Sequence, residues 1–76
     1  MEIKEFIRFF AAQFEDTDAS AFVADTIFKD LEEWSSLLAL SVIAMVDEEY
    51  EVKIKGDDIR NSTTIKDLFD IVKSRR

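Results

Sequence analysis

Two adjacent serines, Ser35 and Ser36, separate a polar segment from an apolar run that opens with Leu37 and ends in the acidic stretch Asp47-Glu48-Glu49-Tyr50-Glu51. Hydroxyls placed where a helix begins face unpaired backbone N–H groups and about half a positive charge, a setting that favours a phosphate ester. The other common chemistries lack their reagents. Without cysteine there is no thiolate nucleophile, no disulfide and no Cys-based metal site; without histidine the commonest general base and neutral metal ligand are gone. Only carboxylates remain, and a helical domain of 76 residues rarely encloses a pocket of the size a substrate needs. The chain is therefore expected not to be an enzyme. Nor is it an EF-hand. Asp16-Thr17-Asp18-Ala19-Ser20 begins like a calcium loop, but Ala21 stands where the turn needs glycine and Ile27 where a bidentate glutamate belongs.

Apolar periodicity defines the elements that hold Ser36. Ile3, Phe6, Ile7, Phe10 and Phe14 recur at three- and four-residue steps, giving a first helix with one apolar stripe, while Glu2, Lys4, Glu5 and Arg8 fall off it. From Glu15 to Trp34 no helical period is sustained. This predicts a long connection pinned by Phe22, Val23, Ile27, Phe28 and Leu31, of a length that usually has a functional reason. A second helix is expected from about Ser36 to Glu51. At about 100° per residue, Ala39, Val42, Ile43, Val46 and Tyr50 share one arc, the expected buried face. Leu37, Ala44 and Glu48 lie opposite, flanked by Leu40, Ser41 and Glu51.

Lys53-Ile54-Lys55-Gly56 reads as a turn in which the only glycine supplies backbone freedom, and Asp57-Asp58-Ile59-Arg60 suffices for one short helical turn. A last helix starts near Thr63 or Thr64, where Thr64-Ile65-Lys66-Asp67 fits a capping box. Its stripe is Ile65, Leu68, Phe69 and Val72, with Ile71 alongside, and Lys73-Ser74-Arg75-Arg76 is expected to fray. The fold expected for residues 1–76 is one all-α domain. It is a small four-helix bundle, three helices long and one short, with a long loop between the first two.

With 17 acidic and 10 basic residues the formal charge is −7, which argues against a nucleic-acid partner and favours basic protein surfaces. The same charge also serves simple solubility, so charge alone does not choose a function. Met1-Glu2-Ile3-Lys4-Glu5 is not followed by the apolar region of a signal peptide, and the run from Leu37 to Val46, interrupted by Ser41, is too short to cross a bilayer. The expectation is a soluble, cytoplasmic monomer that does not insert into membranes.

Four segments in order, Phe28-Lys29-Asp30-Leu31, Trp34-Ser35-Ser36-Leu37, Asp47-Glu48-Glu49-Tyr50 and Ser62-Thr63-Thr64-Ile65-Lys66-Asp67-Leu68, give the chain a further meaning. In their order and spacing they resemble acyl carrier proteins, over essentially the whole length. The resemblance implies a carrier of acyl thioesters on a 4'-phosphopantetheine arm, joined by a phosphodiester to the serine of an Asp-Ser-Leu motif. The matching residues are Ser36 and Leu37. Ser35 departs from the pattern, since aspartate usually stands there; serine caps a helix about as well, but supplies no negative charge for the modifying transferase to read.

The resemblance also makes the second helix the recognition element, with Leu37, Leu40, Ser41, Ala44, Glu48 and Glu51 as its docking strip. The implied partners are a phosphopantetheinyl transferase and acyl-transferring, condensing and modifying enzymes with basic docking surfaces, in fatty acid or polyketide-type synthesis. Leu38 and Ser41 occupy positions that often carry carboxylates in the family, implying fewer partners or weaker electrostatic steering. Ile54, Ile59 and Ile65, with Val46 and Phe28, either line a space that shelters the acyl chain or form an ordinary core. Trp34 is expected to pack over the end of the loop in a structural role. The glycine-rich serine motif of peptidyl carriers is absent, which favours an acyl cargo. A serine at a helix start is ordinarily only a cap. The alternative is therefore an unmodified acidic interaction module with the same fold, and Ser35 keeps it open.

Overall fold

Phe6 and Phe10, one helical turn apart, are both fully buried and fix the centre of the molecule. A computed structural model describes residues 1–76 and contains four α-helices and no strand: α1 (Ile3–Ala11), α2 (Ser36–Tyr50), α3 (Gly56–Arg60) and α4 (Ile65–Arg75). From the α1 stripe, the Phe6 ring meets Phe69 of α4 at 5.6 Å and Tyr50 of α2 at 5.9 Å. The Phe10 ring meets Phe28 at 5.4 Å and Phe22 at 6.2 Å, and Phe14, just past α1, meets Phe22 at 4.8 Å. Aromatic pairs at such distances add about 0.5–1.5 kcal/mol each to their burial. Accordingly α1 packs on both α2 and α4, and α3 packs on α4.

The connection from α1 to α2 contains two 3-10 turns, Ala19–Ala21 and Phe28–Asp30. Phe22 and Phe28 pin it as expected, with Leu31 half-buried. Val23 and Ile27 do not, being 55% and 45% exposed. Hydrogen bonds anchor that stretch instead. The Thr26 hydroxyl accepts the Val23 N–H at 2.8 Å and donates to the Ala21 carbonyl at 2.7 Å. The N–H groups of Ile65 and Lys66 donate to the Thr26 and Ala24 carbonyls at 3.1 and 3.0 Å, and Ile27 and Thr64 form an isolated antiparallel bridge. With the backbone so held, these two side chains are free to face water.

On α2 the buried residues are Leu38, Val42, Met45, Val46 and Tyr50, while Ala39 and Ile43 are half-buried. The buried arc is thus rotated from the expected one toward Leu38 and Met45. Ala39 and Ile43 instead line an open cleft beside α3. The helix closes on Glu51, whose N–H donates to the Asp47 carbonyl at 3.0 Å and whose backbone is left-handed, φ 57° and ψ 35°. It is the only residue of positive φ. Gly56, expected to supply a turn, instead opens α3 with an ordinary φ. Before it, Val52 and Ile54 are buried on either side of the exposed Lys53, in a connector that forms no turn.

The last helix matches its sequence signature. Thr64 Oγ1 accepts the Asp67 N–H at 3.1 Å, and Asp67 Oδ2 accepts the Thr63 and Thr64 N–H groups, both at 3.0 Å. Those backbone donors hold the Asp67 carboxyl below its ordinary range. The C-terminus does not fray where expected. α4 continues through Arg75, whose guanidinium makes two 2.6 Å bonds to the Asp58 carboxylate. Asp58 also accepts the Lys55 N–H at 2.9 Å, so one carboxylate joins the start of α3 to the end of α4. Arg75, and after it the Lys55 N–H, lower the Asp58 pKa. No helix is long and apolar enough to cross a membrane.

Candidate functional site

Ser35 takes an extended conformation (φ −156°, ψ 171°), and its Oγ accepts the Leu38 N–H at 3.3 Å. It is the N-cap, which makes Ser36 the first residue of α2. No acidic side chain occupies the first turn, and the N–H groups of Ser36 and Leu37 take no partner from the protein. Ser36 is exposed, with a hydroxyl that makes no hydrogen bond. A free hydroxyl thus stands at the positive end of a fifteen-residue helix.

Ser36 borders an open cleft of about 670 Å³ between α2 and α3. Its apolar lining is Trp34, Ala39, Leu40, Ile43 and Ile59; Ser35, Ser36, Gly56, Lys29 and Arg60 complete it. Lys29 Nζ donates to the Arg60 carbonyl at 2.9 Å, tying the second 3-10 turn to the end of α3. Arg60 also pairs with Asp57. An apolar groove whose lining includes the free hydroxyl and two cations suits a ligand that begins as an anionic ester and continues as an uncharged chain. The chain's own residues therefore fit a phosphopantetheine arm on Ser36, whose phosphodiester would meet the α2 N-terminus.

Trp34 packs as expected, its ring stacked on Phe10 and Phe14 at 6.4 and 6.2 Å and edge-on to Phe28 at 4.9 Å. It also forms a wall of the cleft, a second role the sequence did not show. Of the five residues considered for an acyl shelter, Val46, Phe28, Ile54, Ile59 and Ile65 are all buried, and only Ile59 borders the cleft.

Of the expected docking strip, Leu37, Leu40, Ser41, Ala44 and Glu48 lie on α2 and Glu51 just past its end. Leu37 and Leu40 are 73% and 63% exposed, Ala44, Glu48 and Glu51 are exposed, and Ser41 is half-buried. The acids crowd the end of α2, where the helix dipole disfavours them, and its last turn carries no base. By contrast α4 ends in Lys73 and Arg75. Only Asp47 of the α2 acids has a cation nearby, Lys53 at 3.8 Å.

Three residues near the site were missed. Lys29 and Arg60 meet 31 positions apart, and Glu33 bonds to residues 16 to 18 positions away, so no local period reveals them. The Glu33 carboxylate accepts the N–H groups of Glu15 (2.8 Å) and Asp16 (3.0 Å) and the Thr17 hydroxyl (2.7 Å). The Glu15 N–H first, then the Thr17 hydroxyl, hold its pKa below the ordinary range. Elsewhere, burial and the nearby Glu5 carboxylate push the Tyr50 phenol up to about 12, so it stays a neutral donor to Glu5 at 3.2 Å. That pair lies outside the cleft lining and is structural. No family model, curated protein or solved structure matches the chain.

Proposed function

We propose that this chain is an acyl carrier protein, a four-helix bundle that is not itself an enzyme and that bears a 4'-phosphopantetheine arm on Ser36. The observation that carries the reading is the unpartnered Ser36 hydroxyl at the α2 N-terminus, opening onto an apolar cleft rimmed by Lys29 and Arg60. Attachment forms a bond from Ser36 Oγ to the phosphorus of coenzyme A nearest the arm. The hydroxyl proton goes to the transferase, and the nucleotide half of coenzyme A leaves. Once attached, the arm's thiol holds the acyl group as a thioester. The protein's own work is to present Ser36, to balance the phosphodiester with backbone N–H groups, and to offer Leu37, Leu40, Ser41, Ala44, Glu48 and Glu51 to partner enzymes. The reading carries with it a cytoplasmic monomer in fatty acid or polyketide-type synthesis.

Intact mass after incubation with coenzyme A and a broad-specificity phosphopantetheinyl transferase tests the assignment. The parent is expected to gain one phosphopantetheine and Ser36→Ala none. Failure of the parent with several transferases would favour the second reading, an unmodified acidic interaction module. The observation behind that alternative is Ser35, which leaves no carboxylate beside the modified residue. Ser35→Asp separates the two effects of this position. Aspartate caps as well as serine, so thermal stability should stay within about 0.5 kcal/mol. The rate of modification should rise several-fold, whereas an unchanged rate would show that the transferase does not read this charge.

A further inference from the structure

The helix that carries Ser36 is the longest, and a single side-chain hydrogen bond caps its N-terminus. The start of α4 is closed by a reciprocal box of three hydrogen bonds, and that of α3 by Asp58. The start of α2 has one serine acceptor at 3.3 Å and no carboxylate in its first turn. Left to itself, such a turn frays. The two residues just before the cap are both tied to the exit of α1 and the connection. Trp34 donates its N–H to the Leu31 carbonyl at 3.0 Å and lays its ring on Phe10, Phe14 and Phe28. Glu33 uses both carboxylate oxygens on Glu15, Asp16 and Thr17, where the chain leaves α1.

We infer that Glu33 is a positioning residue for Ser36, its carboxylate clasping the exit of α1 so that the first turn of α2 is held in order from outside. The clasp closes the whole connection from residue 15 to residue 33 into a loop, which spares the cap at Ser35 from resisting the motion of that long segment alone. Its effect on arm attachment rests on the carrier reading. Its effect on the helix does not.

Glu33→Ala, with Glu32→Ala as control, tests the inference, because the control removes the same charge from an exposed neighbour that makes no hydrogen bond. Amide hydrogen exchange in Glu33→Ala should quicken at Glu15 and Asp16 and also at Leu38 and Ala39, by roughly threefold to tenfold. The kcat/KM for modification of Ser36 should fall by a similar factor, and Glu32→Ala should change neither. Faster exchange confined to Glu15 and Asp16 would overturn the inference by making the clasp a local staple. Equal effects of the two variants would overturn it in favour of charge alone. If the parent accepts no arm, the carrier reading fails and the exchange at Leu38 and Ala39 still decides the positioning role. Thr17→Val, which removes one of the three bonds, serves as a milder variant should Glu33→Ala unfold, and is expected to shift the same amides by less.

Discussion

Phe10→Ala is expected to cost about 3–5 kcal/mol of folding stability, the range for deleting a fully buried phenylalanine. Phe10 has no exposed surface, and its ring lies within 6.4 Å of the Phe6, Phe14, Phe22, Phe28 and Trp34 rings. Its side chain joins α1, the long connection and the approach to α2. A domain of this size has a total stability toward the low end of about 5–15 kcal/mol, so most of the margin would go. Urea denaturation followed by circular dichroism measures the loss, with Phe9→Ala as a comparison from the half-buried flank of the same helix. A cost for Phe10→Ala below about 1.5 kcal/mol would mean that the surrounding rings collapse into the space.

The paired change Leu37→Ala with Leu40→Ala should act in the opposite sense. Both side chains are mostly in water, so their removal opens no cavity, and alanine is at least as good a helix former. Thermal unfolding should therefore be nearly unchanged. Modification of Ser36 by the transferase should fall about tenfold, the effect of losing about 1.4 kcal/mol of interface contact over the two side chains together. Leu40 also borders the cleft, which adds to the expected loss. A large drop in stability would put these leucines in a core, and an unchanged rate would remove them from the docking face.

What the sequence revealed was what is local. The Thr64–Asp67 box and the Ile65, Leu68, Phe69, Val72 stripe depend on neighbours three and four positions apart, and both are present in α4. α2 begins at the expected serine and stops within one residue of the expected end. Its buried arc was misjudged because Leu38 and Met45 are as apolar as Ala39 and Ile43, and only the tertiary packing, which leaves the latter two on an open cleft, decides between them. Val23 and Ile27 were misread for a related reason: a hydroxyl and a bridge do the pinning that their side chains were expected to do. The Arg75–Asp58 pair, the Lys29–Arg60 tie and the Glu33 clasp join residues far apart in the chain, and no periodicity encodes them. Ser36 and the outward face of α2 were legible because one helix contains them. The cleft was not, because it exists only between helices.

Glu51 stands where many helices place a glycine, and its left-handed backbone costs about 1 kcal/mol that a glycine would not incur. In exchange the chain keeps a carboxylate at the foot of the proposed docking face, next to Glu48 and Glu49. Thermal robustness and surface charge therefore compete for a single residue. A hardier version of this fold is one side chain away, and reaching it would weaken the attraction on which a basic partner relies.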